Sequence, residues 1–148
     1  MIKIKAISLW QPWASLIAVG AKKYETRSWK TNYRGPLLIC ATKKIIKLPC
    51  VGSWEFRRAA RLALNIPAGQ SFRTDHHGMA VAIAYLTGCY RIEDFIHNPE
   101  AYPLSDNEKV FGDFSPGRYA WKLENVRAIE PFPVRGRQGL FEVEVGDI

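Results

Sequence analysis

Side chains that could carry out acid–base chemistry or bind phosphate are grouped in the segment Lys22–Trp29, which reads KKYETRSW. A lysine that is shielded from water beside other cations loses its proton more readily and can act as a base, with a neighbouring glutamate to position it. Arginine donates parallel hydrogen bonds to phosphate. If the protein is an enzyme, we therefore predict Lys22 and Glu25 as its catalytic residues, with Glu93 as a second carboxylate.

The same segment alternates with the period of two that is typical of a β-strand, yet neither of its faces is apolar. Because unpaired charges are costly to bury, we expect this strand to line a cleft. The alternative is a solvated edge strand in which Glu25 pairs with Arg27. The alternation is expected to place Lys23, Glu25, Arg27 and Trp29 on one face and Lys22, Tyr24, Thr26 and Ser28 on the other.

Tryptophans flank this charged strand, as in proteins that bind unpaired bases. A base that stacks on an aromatic ring contributes roughly 1–3 kcal/mol. Trp13 is instead expected to pack in the core, because it lies on the apolar face of a helix. The predicted nucleic-acid-binding residues are Trp10, Lys22, Lys23, Glu25, Arg27, Trp29, Lys30, Arg34, Lys43, Arg57 and Arg61.

The charge distribution also favours a polyanionic partner. Residues 1–77 carry 14 Lys and Arg against three Asp and Glu, a net charge of +11, whereas residues 78–148 have a net charge of −4. A basic surface made by the first half is the electrostatic pattern typical of nucleic-acid binding. The alternative is that the two halves interleave in space and their charges largely cancel.

The first half must supply the elements that hold the charged strand. Ile2–Leu9 alternates like a strand with one buried face. Pro12 and Gly20 bracket a helix, since proline suits its first turn and glycine its end. Leu37–Ala41 is a continuous apolar run, which predicts a central strand covered on both faces.

A second helix is predicted from Trp54 to about Asn65, with Ser53 as its N-cap. Its solvent face carries the three arginines of the segment Arg57–Arg61. The Pro- and Gly-containing stretch 66–78 is predicted to be a mobile loop that could act as a lid.

The second half is predicted to contain three more strands and one short helix. About six strands without regular βαβ alternation favour an α+β fold, a small, mainly antiparallel β-barrel with two or three helices on its rim. The strands are expected at Met79–Tyr90, at Tyr119–Ile129, where Pro131 and Pro133 end it, and at Leu140–Val145; the helix lies within 91–103 and the segment 105–117 is expected to be irregular.

Length and composition narrow the class further. A chain of 148 residues suits one domain and can fold without a metal or disulfide. Three cysteines without CxxC spacing argue against a zinc site, and Cys40 and Cys89 are expected to be core thiols. We expect no metal and no cofactor. Because nothing is typical of a signal peptide or membrane span, we expect a cytoplasmic protein without a membrane partner.

Several motifs resemble the ASCH domain family, whose fold is related to the PUA domain. The family's G-x-K-x-x-E-x-R signature is present as Gly20, Lys22, Glu25 and Arg27, following the segment SLWQPWASLI, which contains the first predicted helix. The segment FGDFSPGRYAWKLENVRAI is similar to the long bacterial and phage form. The resemblance implies one domain over residues 1–148, a β-barrel with a cleft beside the first helix, and a role in RNA biology.

The resemblance leaves two other functions open besides RNA binding. Some related domains are hydrolases that remove an acyl group from a modified cytidine with a Lys, a Thr and a Glu. The Lys corresponds to Lys22, whereas Glu25 occupies the position of the Thr. A hydrolase acting on a nucleoside or on RNA through Lys22 is therefore one alternative. A protein-interaction module in transcription or translation is the other.

Overall fold

Six strands and four helices make up the residues that the structure, a computed structural model, describes, namely 1–45, 53–67, 69–70 and 74–146. The strands are β1 (Ile2–Leu9), β2 (Tyr24–Arg27), β3 (Gly35–Ala41), β4 (Met79–Arg91), β5 (Tyr119–Pro133) and β6 (Phe141–Val145). The helices are α1 (Trp13–Ala18), α2 (Trp54–Ala63), α3 (Ile92–His97) and α4 (Asp106–Phe111).

The strands form a single sheet in the order β2-β5-β4-β3-β1-β6. β1 and β3 are parallel and the other neighbours are antiparallel, so the predicted α+β class and mainly antiparallel pairing are confirmed. The predicted closed β-barrel is wrong, because the two edge strands β2 and β6 do not pair within the described residues. The segment after α4 covers the edge of β2 instead, through hydrogen bonds from Asp113 and Arg118 to Thr26.

β3 runs through the middle of the protein, and its side chains enter two separate apolar clusters. Leu37 and Ile39 pack on the side where α1 lies, with Ile17 of that helix. Leu38 and Cys40 pack on the opposite face with Phe141. The predicted central strand covered on both faces is thus confirmed.

The two cysteines that the structure describes are free thiols packed in the core, as predicted. Cys40 is buried and Cys89 is half-buried, and both are free. Burial raises the pKa of Cys40 to about 12, so this thiol stays protonated and unreactive at neutral pH. Cys50 lies outside the described residues, as do parts of the predicted loops at 46–52, 68 and 71–73.

β5 continues to Pro133, so the prediction that Pro131 and Pro133 end the strand is wrong. The physical reason is the short length of β2, which pairs only with residues Tyr119–Lys122 of β5. Beyond that point β5 pairs with β4 alone, and a proline can occupy a strand with one free side because its missing N–H has no partner to lose.

The helices around the site are fixed by serine caps. Ser53 Oγ accepts a hydrogen bond of 3.1 Å from Phe56 N and starts α2, as predicted. Ser105 Oγ does the same for Glu108 N, 3.1 Å away, and starts α4. The prediction of an irregular segment at 105–117 is therefore wrong, although Ser105 and Glu108 have the spacing of a capping box. No helix in the described ranges is long and apolar enough to cross a membrane.

Candidate functional site

A pocket of about 650 Å³ opens beside the edge strand β2. One wall is the end of β1 and the residues after it, 8–10, and the opposite wall is the end of α4 with residues 110–113. The floor is formed by residues 25–29, and α2 contributes Phe56 through its first turn. The charged strand therefore lines a cavity, which confirms its position beside a cleft.

Two tryptophans stand at the rim of this pocket. Trp10 is 50% exposed and Trp29 is 37% exposed, and both line the cavity. The ring of Trp29 packs against the edge of buried Trp121 at a centroid distance of 4.8 Å. Lys44 Nζ lies 5.2 Å from the centroid of the Trp10 ring. Each tryptophan thus has a supported side and a solvent-accessible part.

Trp13 joins the core and the pocket. Its Nε1 donates a hydrogen bond of 2.8 Å to the carbonyl of Phe111, and its ring lies 5.3 Å from that of Phe56. These contacts pack α1 against α2 and α4, as expected for a core residue. Trp13 also contributes to the pocket lining.

The carboxylate of Glu25 contacts two cations, the buried Lys22 and the pocket-lining Arg27. Its Oε2 lies 3.5 Å from Arg27 Nη2, and its Oε1 lies 3.8 Å from Lys22 Nζ. Oε1 also accepts a hydrogen bond of 3.1 Å from Thr26 N. The carboxylate therefore lines the pocket with three donors around it.

Lys22 lies beneath the pocket and is only 1% exposed. Its Nζ donates a hydrogen bond to the carbonyl of Tyr24. Burial lowers its pKa, an effect that the negative charges of Glu25 and Glu108 oppose. With no exposed side-chain surface, Lys22 cannot make the direct nucleic-acid contact predicted for it in this conformation.

The prediction that Lys22 and Glu25 lie on opposite faces is wrong. The backbone N–H of Lys22 still donates to the carbonyl of Leu16, at 3.1 Å, because the turn that ends α1 includes it. β2 begins only at Tyr24, so the period-two alternation does not extend back to Lys22. The turn therefore directs the ammonium group of Lys22 towards Glu25 from the buried side of the pocket floor.

Glu108 is a second buried carboxylate, and it was not among the predicted site residues. It is 4% exposed, and its Oε1 accepts a hydrogen bond from Lys23 N just before β2. Its Oε2 has no hydrogen-bond partner among the described residues. Burial raises the pKa of Glu108, whereas the Lys23 N–H and the charge of Lys22 act in the opposite direction. The available signal was its capping-box spacing from Ser105.

A second ion pair faces the pocket from the side opposite Arg27. Arg118 Nε lies 3.4 Å from Asp113 Oδ2, and Arg118 Nη2 donates to the carbonyl of Thr26 at 3.2 Å. Asp113 N donates to Thr26 Oγ1 at 3.1 Å. The pKa of Asp113 is lowered, first by its hydrogen bond from Ser115 and also by Arg118. The sequence predictions included neither Asp113 nor Arg118.

The ionisable lining of the pocket is balanced in charge, with Glu25 and Asp113 against Arg27 and Arg118. The expected basic cleft is therefore not basic in its lining. The sheet order explains this balance, because the basic first half and the acidic second half interleave, with β2 beside β5 and β3 beside β4.

The predicted nucleic-acid-binding residues divide into two groups. Four of them line the pocket, namely Trp10, Glu25, Arg27 and Trp29. Apart from buried Lys22, the others lie outside its lining: Lys23, Lys30, Arg34, Lys43, Arg57 and Arg61. Arg34, for example, donates 3.0 and 2.7 Å hydrogen bonds to neighbouring carbonyls. Glu93 is also outside the pocket and accepts a hydrogen bond from Gly117 N at 3.2 Å.

The described residues contain no cluster of three or more His, Cys, Asp or Glu side chains that could hold a metal ion. What the pocket offers chemically is two part-exposed tryptophan rings at its rim, two guanidinium groups and two carboxylates. This combination suits a ligand with a flat ring and with both hydrogen-bond donors and acceptors.

Comparison with known proteins gives three kinds of match. A family model of the ASCH domain matches residues 7–133. A stretch of 38 residues, 26% of the chain, is 55% identical to activating signal cointegrator 1 of Homo sapiens and to the Mus musculus protein of that name. The chain spans only 6% of the length of these two relatives.

Solved structures of an ASCH protein from Zymomonas mobilis have a similar fold. The TM-score is 0.52 at 16% sequence identity, over 95% of this chain and 87% of that one. A mutant of the same protein gives the same TM-score over 89% of its chain. At this level of identity the likeness extends to the fold alone.

Proposed function

This chain belongs to the ASCH domain family, and on that premise we propose that its pocket binds an unpaired base of a nucleic acid, with RNA favoured over DNA. The observation that carries the proposal is the placement of two part-exposed tryptophans, Trp10 and Trp29, at the rim of a cavity floored by Glu25 and Arg27. The interleaving of aromatic and charged groups is typical of sites for single-stranded or flipped bases.

The size of the pocket supports this ligand. A volume of about 650 Å³ lies within the range of small-molecule sites and exceeds what a single base requires. A base inserted between the walls can stack on Trp29, whose ring is held by Trp121. Such stacking does not depend on the identity of the base, because every base has a π-face.

The charges of the floor supply the polar contacts. Glu25 can accept hydrogen bonds from the N–H groups of a base, since its carboxylate oxygens are the only charged acceptors on β2. Arg27 and Arg118 can donate to ring acceptors or to a phosphate. Lys22 balances the charge of Glu25 from below, so Arg27 can turn towards a ligand without leaving that carboxylate unpaired.

Fluorescence anisotropy with labelled single-stranded RNA, matched DNA and duplex RNA tests this proposal. We expect Trp29→Ala and Trp10→Ala each to weaken the binding of single strands about tenfold, from the loss of stacking. Tyr85→Ala is the matched control, because Tyr85 is an exposed aromatic on β4 outside the pocket. Unchanged affinity in both tryptophan variants would refute the proposal, and tighter binding of DNA would reverse the preferred nucleic acid.

A second candidate function is hydrolysis of a nucleoside or RNA. The observation that favours it is the buried Lys22, whose lowered pKa brings it nearer to a general base and which contacts a carboxylate that lines the pocket. Glu25 would then relay a proton between Lys22 and the ligand. Glu25 occupies the position at which the related amidohydrolases carry a threonine. The hydroxyl group that this threonine supplies would therefore have to come from another residue.

Incubation with acylated cytidines and short RNAs decides between binding and hydrolysis. Turnover by the wild type that is abolished in Glu25→Gln, with that variant still folded by circular dichroism, would support an enzyme. Product formation equal in the wild type and Glu25→Gln would reject this site as catalytic.

A further inference from the structure

A second cavity, of about 330 Å³, lies on the outer face of α2 and next to it. Three guanidinium groups and two strongly exposed apolar side chains surround it. Trp54 is 62% exposed and Leu62 is 72% exposed, which is unusual for such large apolar residues. The lining is Trp54, Arg57, Arg58, Arg61, Leu62 and Ile66.

The packing of α2 fixes the direction of this face. Phe56 and Ala60 are buried against Leu16 of α1 and Phe111 of α4. A helix of ten residues that buries one stripe must present the opposite stripe to solvent; Arg58 lies on that stripe, and the half-buried Arg57 and Arg61 flank it. The packing of the buried residues of α2 therefore determines which of its side chains face the solvent.

Local contacts orient two of the arginines. The guanidinium of Arg58 lies 5.6 Å from the centroid of the Trp54 ring. Arg61 Nη1 donates to the carbonyls of Gln70 and Pro67, at 2.9 and 3.3 Å. Arginines held in this way lose less conformational freedom when they bind a phosphate.

The first turn of α2 separates the two cavities and contributes residues to the lining of each. Ser53 and Phe56 line the pocket beside β2, whereas Trp54 and Arg57 line the second cavity. A single-stranded nucleic acid with one base in the pocket can cross this turn and reach the arginines of α2. Glu55 lies on the same turn but lines neither cavity.

We infer that the α2 face is a second binding site, which takes the sugar–phosphate backbone and one stacked base of the nucleotides adjacent to the one in the pocket. The inference rests on the proposed function of the pocket. Charge complementarity identifies the occupant, because the described lining of the second cavity carries three arginines and no carboxylate, and an exposed tryptophan beside them offers a stacking surface.

The test compares a mononucleotide with single-stranded RNAs of three, six and nine residues. Arg58→Ala and Trp54→Ala are expected to bind the mononucleotide as the wild type does and to bind the nonamer about fivefold more weakly. For Arg58→Ala, the slope of log affinity against log salt should also fall by about 0.7, the value for one phosphate contact on a single strand. Lys3→Ala is the control for loss of one exposed positive charge, at the far end of β1 from the pocket.

The outcomes separate the two sites. If both α2 variants bind every RNA as the wild type does, the second site is overturned while the pocket proposal stands. If Trp10→Ala and Trp29→Ala both leave mononucleotide binding unchanged, the pocket proposal fails by itself. Polyglutamate that competes with the nonamer as well as unlabelled RNA would assign the face to an acidic protein and would also overturn the inference.

Discussion

Lys22 Nζ lies 3.8 Å from Glu25 Oε1, and the side chain of Lys22 has no exposed surface. A buried pair of this kind is sensitive to the loss of one partner, because the remaining charge is left without compensation in a medium of low dielectric. The pair therefore couples the stability of the protein to the electrostatics of its pocket.

We expect Lys22→Met to lower the free energy of unfolding by about 3 kcal/mol, since Glu25 then loses the cation on its buried side and keeps the pocket-side Arg27, 3.5 Å away, as its charged partner among the described residues. Urea denaturation at pH 7 measures the effect, and a double-mutant cycle with Glu25→Gln isolates the coupling between the two side chains. The control is the exposed pair Lys5–Glu142, 3.2 Å apart, for which Lys5→Met should cost less than about 1 kcal/mol. Equal costs at the two pairs would contradict the prediction.

The raised pKa of Glu108 predicts a particular pH dependence of stability. Burial favours its protonated form in the folded state, so the folded protein holds this proton to higher pH than the unfolded chain does. Stability should then fall as the pH rises from the ordinary glutamate pKa to the pKa in the folded state. Glu108→Gln removes that loss, because the amide oxygen can still accept from Lys23 N.

Urea denaturation at about pH 2.5, 4, 5.5 and 7 checks this prediction, a series that extends below the ordinary aspartate pKa. Relative to the wild type, Glu108→Gln should gain stability as the pH rises. Asp113→Asn is expected to behave in the opposite way, losing relative stability as the pH rises, because hydrogen bonding from Ser115 and the charge of Arg118 lower the pKa of Asp113. A Glu108→Gln profile that does not rise with pH relative to the wild type would contradict the prediction for Glu108, and an Asp113→Asn profile that does not fall would contradict the one for Asp113.

Trp121 is fully buried and does not line the pocket, but it supports Trp29 through their edge contact. We expect Trp121→Phe to cost about 1–3 kcal/mol of stability and also to weaken single-stranded RNA binding severalfold. Phe141→Leu, in a buried position on β6, should cost a similar amount of stability and leave RNA affinity unchanged. If the two variants change affinity alike, the effect is one of stability and not of Trp29 position.

The hydroxyl of Thr26 contacts Asp113 in the segment after α4, which forms one wall of the pocket. Because its Oγ1 accepts from Asp113 N, Thr26→Val should leave that N–H without an acceptor and cost about 1–3 kcal/mol. Thr26→Ser keeps the oxygen and is expected to cost less than half as much. Thermal denaturation of the two variants compares them directly, and a larger loss in Thr26→Ser than in Thr26→Val would indicate that the methyl group, rather than the hydroxyl, stabilises this wall.

Much of the fold could be predicted because local signals agreed with the tertiary structure. The continuous apolar run Leu37–Ala41 indicated a strand covered on both faces, and β3 occupies that position. Ser53 indicated the start of α2. The open sheet could not be predicted, because the pairing of edge strands depends on which distant segment covers β2, and no local pattern encodes that.

The site was predicted in part for the same reason. The mixed charges of β2 indicated a cleft, but the position of Lys22 depended on how long the turn after α1 persists. Glu108 and Arg118 were missed because their roles arise from contacts with residues that are 85 and 92 positions away in the sequence. Sequence spacing carries no information about such contacts.

The sheet order has a consequence for how the protein folds. Glu25 on β2 is paired in register with Trp121 on β5, so the floor of the pocket has no neighbouring strand until most of the chain has been synthesised. Contacts this distant along the chain are closed slowly, typically in milliseconds to seconds. Completion of the pocket should therefore be among the late steps of folding. The rate at which ligand binding recovers during refolding would report when β2 pairs with β5.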